Sequence, residues 1–127
     1  MIIGVGIDAV DIERVERMLS SKGERALRRL FTEREVAYAT QRARPAQHLA
    51  ARIAAKEAAF KAFSGSAEAR AIGWREIEVT HDVNGRPTLD LSGRALARAS
   101  ELGVTKVWIS LTHTDGVAGA MVVLESA

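Results

Sequence analysis

Glu57 is a carboxylate on what the sequence predicts to be the apolar face of a helix. The segment Gln47–Phe63 is rich in alanine and contains no glycine or proline, which predicts a strong helix. Glu57 follows Ile53 by four residues and precedes Phe60 by three, so its side chain is expected to point inward with theirs. A carboxylate in such a position needs a cation, a metal ion or several hydrogen-bond donors.

Asp8 places a second carboxylate on an apolar face, here the face of a predicted strand. The residues that share this face at a period of two are Ile2, Gly4, Gly6, Val10 and Ile12. The glycines lack side chains, which indicates close approach by another part of the chain. Two carboxylates that lie close together repel each other unless a proton or a cation lies between them. Oxygen ligands of this kind suit Mg²⁺, which usually binds through one or two carboxylates and substrate phosphates.

The same carboxylates also fit a structural role. Asp8 would then cap a turn, and Glu57 would pair with one of the neighbouring cations Arg52, Lys56 or Lys61. Lys61, four residues after Glu57, is either a phosphate ligand beside a metal ion or an ordinary lysine on a helix surface.

Two further positions are typical of phosphate sites and equally of ordinary structure. His113 ends a predicted strand beside a turn, where it would donate to a phosphate, act as a base or be merely exposed. Gly65 follows a predicted helix end, where it would let backbone amides approach a phosphate or would only terminate the helix. His48 and His81 lie in polar settings that indicate no role.

Charge and composition exclude several classes of function. Residues 14–44 hold nine lysines and arginines but four acids, a local charge of +5 that leaves −3 elsewhere. This basic segment indicates an acidic partner or a solvated helical surface. Its only aromatic residues are Phe31 and Tyr38, so nucleic acid is a poor candidate partner. The chain has no cysteine for thiolate chemistry and no serine-hydrolase, Walker or zinc-protease motif. Its apolar start lacks signal-peptide features and is too short to cross a bilayer, so we expect no membrane contact and a cytosolic location.

The elements that must position these residues predict one domain over 1–127. We expect strands over 2–12, 74–83, 86–91, 106–112 and 117–125, and helices over 12–19, 24–30, 32–43, 46–63 and 92–103. Ser20–Gly23 separates the first two helices, Thr32 and Glu35 form a capping box, and Asn84–Gly85 predicts a two-residue hairpin. Helices come early and hairpins late, which predicts an α+β fold with a mainly antiparallel sheet packed with a long helix.

Three segments taken together resemble the holo-acyl-carrier-protein synthases, which are small trimeric bacterial 4′-phosphopantetheinyl transferases. They are Gly6–Arg14, Arg52–Ala62 and Ser110–Thr114, and the Phe31–Glu35 segment and the Asn84–Pro87 turn also match. The resemblance covers essentially the whole chain. It implies the fold of that family and transfer of phosphopantetheine from coenzyme A (CoA) to a serine of an apo-acyl carrier protein, with release of 3′,5′-ADP. The nucleophile belongs to the partner in this reaction, which agrees with the lack of a nucleophile motif here.

The resemblance also implies roles for particular residues. Asp8 and Glu57 would hold Mg²⁺ and, with Lys61, carry catalysis, and a metal-linked water oriented by Glu57 is our hypothesis for the base. The residues implied to contact CoA are Arg52, Lys61, Gly65, Asn84, Gly85, Arg86, Pro87 and His113. Those implied to dock the acidic carrier protein are Arg14, Arg17 and Met18. The implied assembly is a homotrimer with active sites between subunits.

One segment departs from the family pattern. The turn after the long helix is often glycine-rich in the family, whereas here it is Ser64-Gly65-Ser66. Two other classes of function stay open from the residues alone. One is a Mg²⁺-dependent hydrolase of a nucleotide pyrophosphate, and the other is a non-enzymatic module that binds an acidic protein.

Overall fold

The computed structural model describes residues 1–127 as two antiparallel sheets and five α-helices. The strands are β1 (Ile2–Asp11), β2 (Ile77–His81), β3 (Pro87–Leu91), β4 (Val104–His113) and β5 (Val117–Ser126). The helices are α1 (Ile12–Leu30), α2 (Glu33–Thr40), α3 (Pro45–Phe63), α4 (Ala67–Arg70) and α5 (Gly93–Leu102), and a 3₁₀ turn covers Trp74–Glu76. No helix has both the length and the apolar character needed to cross a bilayer.

The larger sheet has the strand order β1–β5–β4, with α3 packed across one of its faces, while β2 and β3 form a separate pair. This arrangement confirms the predicted α+β fold, in which a mainly antiparallel sheet packs against a long helix. The inward face of β5 is apolar and buried, and its residues are Ala118, Ala120, Val122 and Leu124.

The close approach predicted at Gly4 and Gly6 is made by the backbone of α3. A Cβ atom added at Gly6 would overlap the carbonyl oxygen of Ala58, and one at Gly4 would overlap that of Ala62. The helix can lie this close to β1 because its facing side chains are alanines. Ile2 was wrongly placed on the same face, since the β1–β5 register shifts between Ile2 and Gly4 and leaves Ile2 62% exposed.

The predicted break between the first two helices is confirmed at Gly23, where two helical segments of α1 meet at a kink with φ 50° and ψ −129°. The first segment continues through residues 20–22 rather than ending at Leu19. The helix predicted over 32–43 ends at Thr40 rather than near Ala43. The capping box of α2 is confirmed, because the Thr32 hydroxyl accepts from the Glu35 amide at 3.3 Å and Glu35 accepts from the Thr32 amide at 2.9 Å.

Lys56 pairs with Glu35 and not with Glu57. The Lys56 ammonium lies 2.8 Å from Glu35 Oε1, and both side chains are fully buried. The pairing of Glu57 with Lys56, considered from the sequence, is therefore wrong. Because Lys56 is held inside the core, its neighbour Glu57 emerges on a different side of α3.

Candidate functional site

Asp8, Glu57 and Lys61 come together where α3 crosses β1. The Lys61 ammonium donates to Asp8 Oδ1 at 3.1 Å and to the carbonyl oxygen of Ile7 at 2.8 Å. Asp8 is mostly buried, while Lys61 is largely exposed and free to turn toward a ligand. Glu57 is half-buried on the apolar stripe, so the predicted inward direction brings it to the edge of the core rather than into it.

The two carboxylates perturb each other. A hydrogen bond with Asp8, partial burial and the charge of Asp8 raise the pKa of Glu57 to about 7, against the charges of Lys61 and Arg14. Burial acts to raise the pKa of Asp8, but hydrogen bonds with Glu57 and Lys61 outweigh it and lower that pKa. When both groups are ionised, buried Asp8 Oδ2 has no donor. A proton or a cation between the two carboxylates therefore removes their repulsion.

The donor set is small and contains only oxygen. No group of three or more acidic, histidine or cysteine side chains comes together in the chain, so Asp8 and Glu57 form a candidate set of two carboxylates. Two carboxylates match the way Mg²⁺ binds when phosphates and water fill the rest of its coordination positions.

Glu57 also lines a cleft of about 630 Å³ that opens beside α1. Arg14, Arg17 and Met18 line the same cleft, so the structure brings together the predicted metal ligand and the predicted docking residues. Its apolar wall is formed by Val10, Val15, Leu30, Ile53, Trp74 and Val117. The cleft therefore has an acidic end, an apolar wall and a basic rim.

His113 does not reach the Asp8–Glu57 pair within one chain. Its Nδ1 atom lies 2.8 Å from Nε2 of Gln47, near the first turn of α3. Gln47 precedes Glu57 by ten residues, which corresponds to about 15 Å along a helix. The predicted phosphate contacts His113 and Lys61 thus lie toward opposite ends of α3.

The connection between β2 and β3 is wider than the predicted two-residue hairpin. The Asp82 carboxylate accepts from the backbone amides of Asn84 at 2.8 Å and Arg86 at 3.0 Å, so residues 82–86 form the loop. Gly85 takes a φ of 82°, which favours glycine. Because this side chain captures the amides, β2 ends at His81 and not at Val83. The predicted nucleotide residues Asn84, Gly85, Arg86 and Pro87 lie on this loop and at the start of β3.

The turn after α3 is fastened by Arg98 of α5. Arg98 is buried and donates to the carbonyl oxygens of Phe63 at 3.0 Å and Ser64 at 3.3 Å. Gly65 follows with a φ of 114°. A side chain from a distant helix thus caps this end of α3, which could not be foreseen from the local sequence.

A cationic and aromatic cluster surrounds Arg52 and was not predicted from the sequence. Arg52 is 2% exposed, its Nε atom has no hydrogen-bond partner, and its guanidinium lies 4.3 Å from the ring centre of Tyr38. Arg42 lies 3.9 Å from the same ring, and His81 stacks on it with centroids 4.7 Å apart. Burial, followed by the charges of Arg52 and Arg42, lowers the pKa of both His48 and His81. Because neither arginine has an acidic partner within 4 Å, the cluster suits an anion.

The outward face of the larger sheet is also apolar. Its large exposed side chains include Val5, Ile7, Trp108 and Met121. They lie in rows across the three strands. Val123 of β5 pairs with Val5 on one side and Trp108 on the other, and Met121 pairs in the same way with Ile7 and Ser110. A contiguous apolar face of this kind marks an interaction surface.

Comparisons of this chain with a family model and with known proteins indicate the same family. Residues 4–121 match the family model of the 4′-phosphopantetheinyl transferase superfamily. A holo-[acyl-carrier-protein] synthase of Geobacter sulfurreducens is 43% identical over 125 residues, which cover 98% of each chain.

Solved structures of similar proteins share the fold. A holo-[acyl-carrier-protein] synthase from Neisseria meningitidis superposes with a TM-score of 0.87 at 30% identity, covering 99% of this chain and 100% of that one. One from Bacillus anthracis, in complex with CoA (3′,5′-ADP), superposes with a TM-score of 0.79 at 34% identity, covering 100% and 99%.

Proposed function

This chain belongs to the 4′-phosphopantetheinyl transferase superfamily as a holo-[acyl-carrier-protein] synthase, and we propose that it is Mg²⁺-dependent and releases 3′,5′-ADP. The substrates are CoA and a serine of an apo-acyl carrier protein. The observation that carries the proposal is the meeting of Asp8, Glu57 and Lys61, of which Glu57 also lines a cleft with a basic rim. This arrangement supports a role in which anion-binding groups lie beside a docking surface for an acidic protein.

Asp8 and Glu57 fit the metal ion. Buried Asp8 Oδ2 lacks a donor, and the raised pKa of Glu57 reflects a repulsion that a cation would remove. Asp8 and Glu57 are the only two side chains in the proposed ligand set, which leaves room for the phosphates of CoA and for water. When bound, Mg²⁺ would neutralise negative charge that develops on the leaving phosphate oxygen.

The other groups of the chain orient the substrates. Lys61 would turn from the Ile7 carbonyl oxygen to a phosphate, because its side chain is exposed and its present partners lie beside the cleft. Transfer forms a bond between the carrier's serine oxygen and the pantetheine phosphorus and breaks the pyrophosphate bond. The serine proton passes to a water molecule that Glu57 orients, and 3′,5′-ADP leaves.

The nucleotide end of CoA would use residues away from this pair. Arg52 belongs to a cluster of unpaired cations, and His113, Gly65 and the Asn84–Pro87 segment complete the set that we propose for the nucleotide. His113 lies toward the opposite end of α3 from Glu57. A complete site is therefore most simply built from two copies of the chain.

The apolar sheet face supports a homotrimer. Val5, Ile7 and Met121 are 55%, 67% and 41% exposed and lie on the same face. Burying such a face between copies is favourable by about 25 cal/mol per Å² of apolar surface. We propose that this association brings the His113 of one copy to the Asp8–Glu57 pair of another.

Docking of the carrier would use the rim of the cleft. Arg14, Arg17 and Met18 line it together with Glu57, so a bound carrier would present its serine to the metal site. Arg17 is also 3.2 Å from Glu13, an exposed pair that contributes little and yields easily to another acid. An acidic partner would be steered by these charges, so its association should weaken as salt rises.

The test is a mass measurement on the partner. The chain is mixed with CoA, Mg²⁺ and an apo-acyl carrier protein, and the carrier should gain the mass of one phosphopantetheine group while 3′,5′-ADP appears. A carrier whose serine is replaced by alanine is the control and should gain nothing. CoA cleavage without a gain in carrier mass would favour the hydrolase, and binding without either event would favour the binding module.

A further inference from the structure

The buried Glu35–Lys56 pair lies inside the core next to the candidate site but takes no part in the chemistry proposed above. Lys56 is 0% exposed, and its three donors are all used. The Lys56 Nζ atom lies 2.8 Å from each of three acceptors, which are Glu35 Oε1, the Trp74 carbonyl oxygen and the Ile77 carbonyl oxygen. Glu35 Oε2 accepts in turn from the Val79 amide at 2.9 Å.

This network joins three elements at one point of α3. Glu35 belongs to α2, Lys56 to α3, and the Ile77 and Val79 backbone groups to β2. Each bond has a fixed direction, so the network fixes how α3 is rotated about its axis and where it lies along it. Because successive helical residues differ by about 100°, fixing the direction of Lys56 also fixes the direction of Glu57.

The apolar contacts of α3 specify its rotation much less sharply. The part of its surface that packs in the main core is dominated by the alanines Ala54, Ala55, Ala58, Ala59 and Ala62. Methyl groups interlock weakly, so apart from the close backbone contacts at Gly4 and Gly6 this surface offers little resistance to a small turn of the helix. A buried polar pair adds the specificity that this surface lacks.

We propose that the Glu35–Lys56 pair is a positioning device that sets the rotation of α3 so that Glu57 and Lys61 meet Asp8. The inference rests on the proposed function of that site. It differs from a purely stabilising role, because well-packed apolar residues can replace a buried ion pair with no loss of stability. Stability and positioning can therefore be separated by substitution.

The test is the double variant Glu35→Leu, Lys56→Met, compared with wild type in three measurements. We expect its midpoint of urea unfolding to equal or exceed that of wild type. We expect kcat to fall by about 10- to 100-fold, as is typical when groups behind metal ligands are removed. KM for the carrier should stay unchanged, because docking occurs on α1. The rise in Tm caused by Mg²⁺ with CoA should also shrink.

Controls separate positioning from general damage. Ala95→Gly destabilises α5 outside the network and should leave the Mg²⁺-dependent rise in Tm unchanged. If the double variant fails to fold, Glu35→Gln combined with Lys56→Met leaves no unpaired buried charge and should show the same loss of kcat with unchanged KM for the carrier. A stable variant with the kcat and the Mg²⁺-dependent rise in Tm of wild type would overturn the proposal. If wild type modifies no carrier, the proposed function is wrong. The Mg²⁺-dependent rise in Tm would still test whether the Glu35–Lys56 pair positions α3.

Discussion

Replacing Glu57 by glutamine should stabilise the protein in the absence of ligands while it removes activity. The pKa of Glu57 is about 7 in the folded chain, against an ordinary value of 4.5. Between these values the folded state binds more protons than the unfolded state. The contribution of Glu57 to the free energy of unfolding is therefore most favourable below pH 4.5, falls as pH rises to about 7, and stays reduced above it.

The magnitude follows from this shift. A change from 4.5 to about 7 corresponds to roughly 3 kcal/mol at about 1.4 kcal/mol per pKa unit. Glu57 faces an open cleft, so screening by solvent reduces the expected effect to about 1–2 kcal/mol. The glutamine amide can also donate to Asp8 Oδ2, which lacks a donor.

Urea unfolding at pH 8 and pH 5 measures the effect. Glu57→Gln should unfold at a higher urea concentration than wild type at pH 8, and most of the difference should vanish at pH 5. Glu24→Gln, at an exposed position of α1, is the matched control and should show no such dependence. An unchanged midpoint at pH 8, or a gain of equal size at both values, would refute the argued repulsion between Glu57 and Asp8.

Four other substitutions test the remaining roles. Asp8→Asn should lose most activity and recover part of it at raised Mg²⁺, and normal turnover at ordinary Mg²⁺ would contradict its role as a metal ligand. Arg14→Glu should raise KM for the carrier while CoA affinity, measured by calorimetry, stays near normal; an equal loss of CoA affinity would rule out a docking role. His113→Ala should chiefly weaken CoA binding, and unchanged affinity would count against a phosphate contact. Gly6→Ala should lower the free energy of unfolding by about 1–3 kcal/mol or more, because its methyl group overlaps the Ala58 carbonyl oxygen, and an unaffected unfolding midpoint would contradict that packing.

Local sequence patterns predicted the parts of this fold that depend on neighbouring residues. The Thr32–Glu35 capping box and the close approach at Gly4 and Gly6 both follow from short-range rules, and the structure confirms them. The Glu35–Lys56 pair joins residues 21 positions apart, and helical periodicity alone could not tell Lys56 from a surface lysine.

The candidate site also has one part that local sequence patterns predicted and another that they did not. Asp8 and Glu57 were predicted because each carboxylate interrupts an apolar pattern of known period, and Lys61 because it follows Glu57 by one helical turn. The structure places all three together. The cluster around Tyr38 was missed because it gathers side chains from α2, α3 and β2. Two spacings of one helical turn, His48 with Arg52 and Tyr38 with Arg42, were the local signals that these side chains share a surface.

The two sides of α3 explain how the chain holds its reactive residues in an unfavourable arrangement. Asp8 and Glu57 repel each other when both are ionised, and a small rotation of α3 that separated them would relieve this repulsion. Gly6 and Lys56 oppose that rotation from different sides, the first through backbone contact with Ala58 and the second through its three hydrogen bonds. A cation bound between the carboxylates would remove the repulsion without moving the helix. The free energy of unfolding should therefore rise on addition of Mg²⁺ by more in wild type than in Glu57→Gln, since the variant has lost the charge that the ion neutralises.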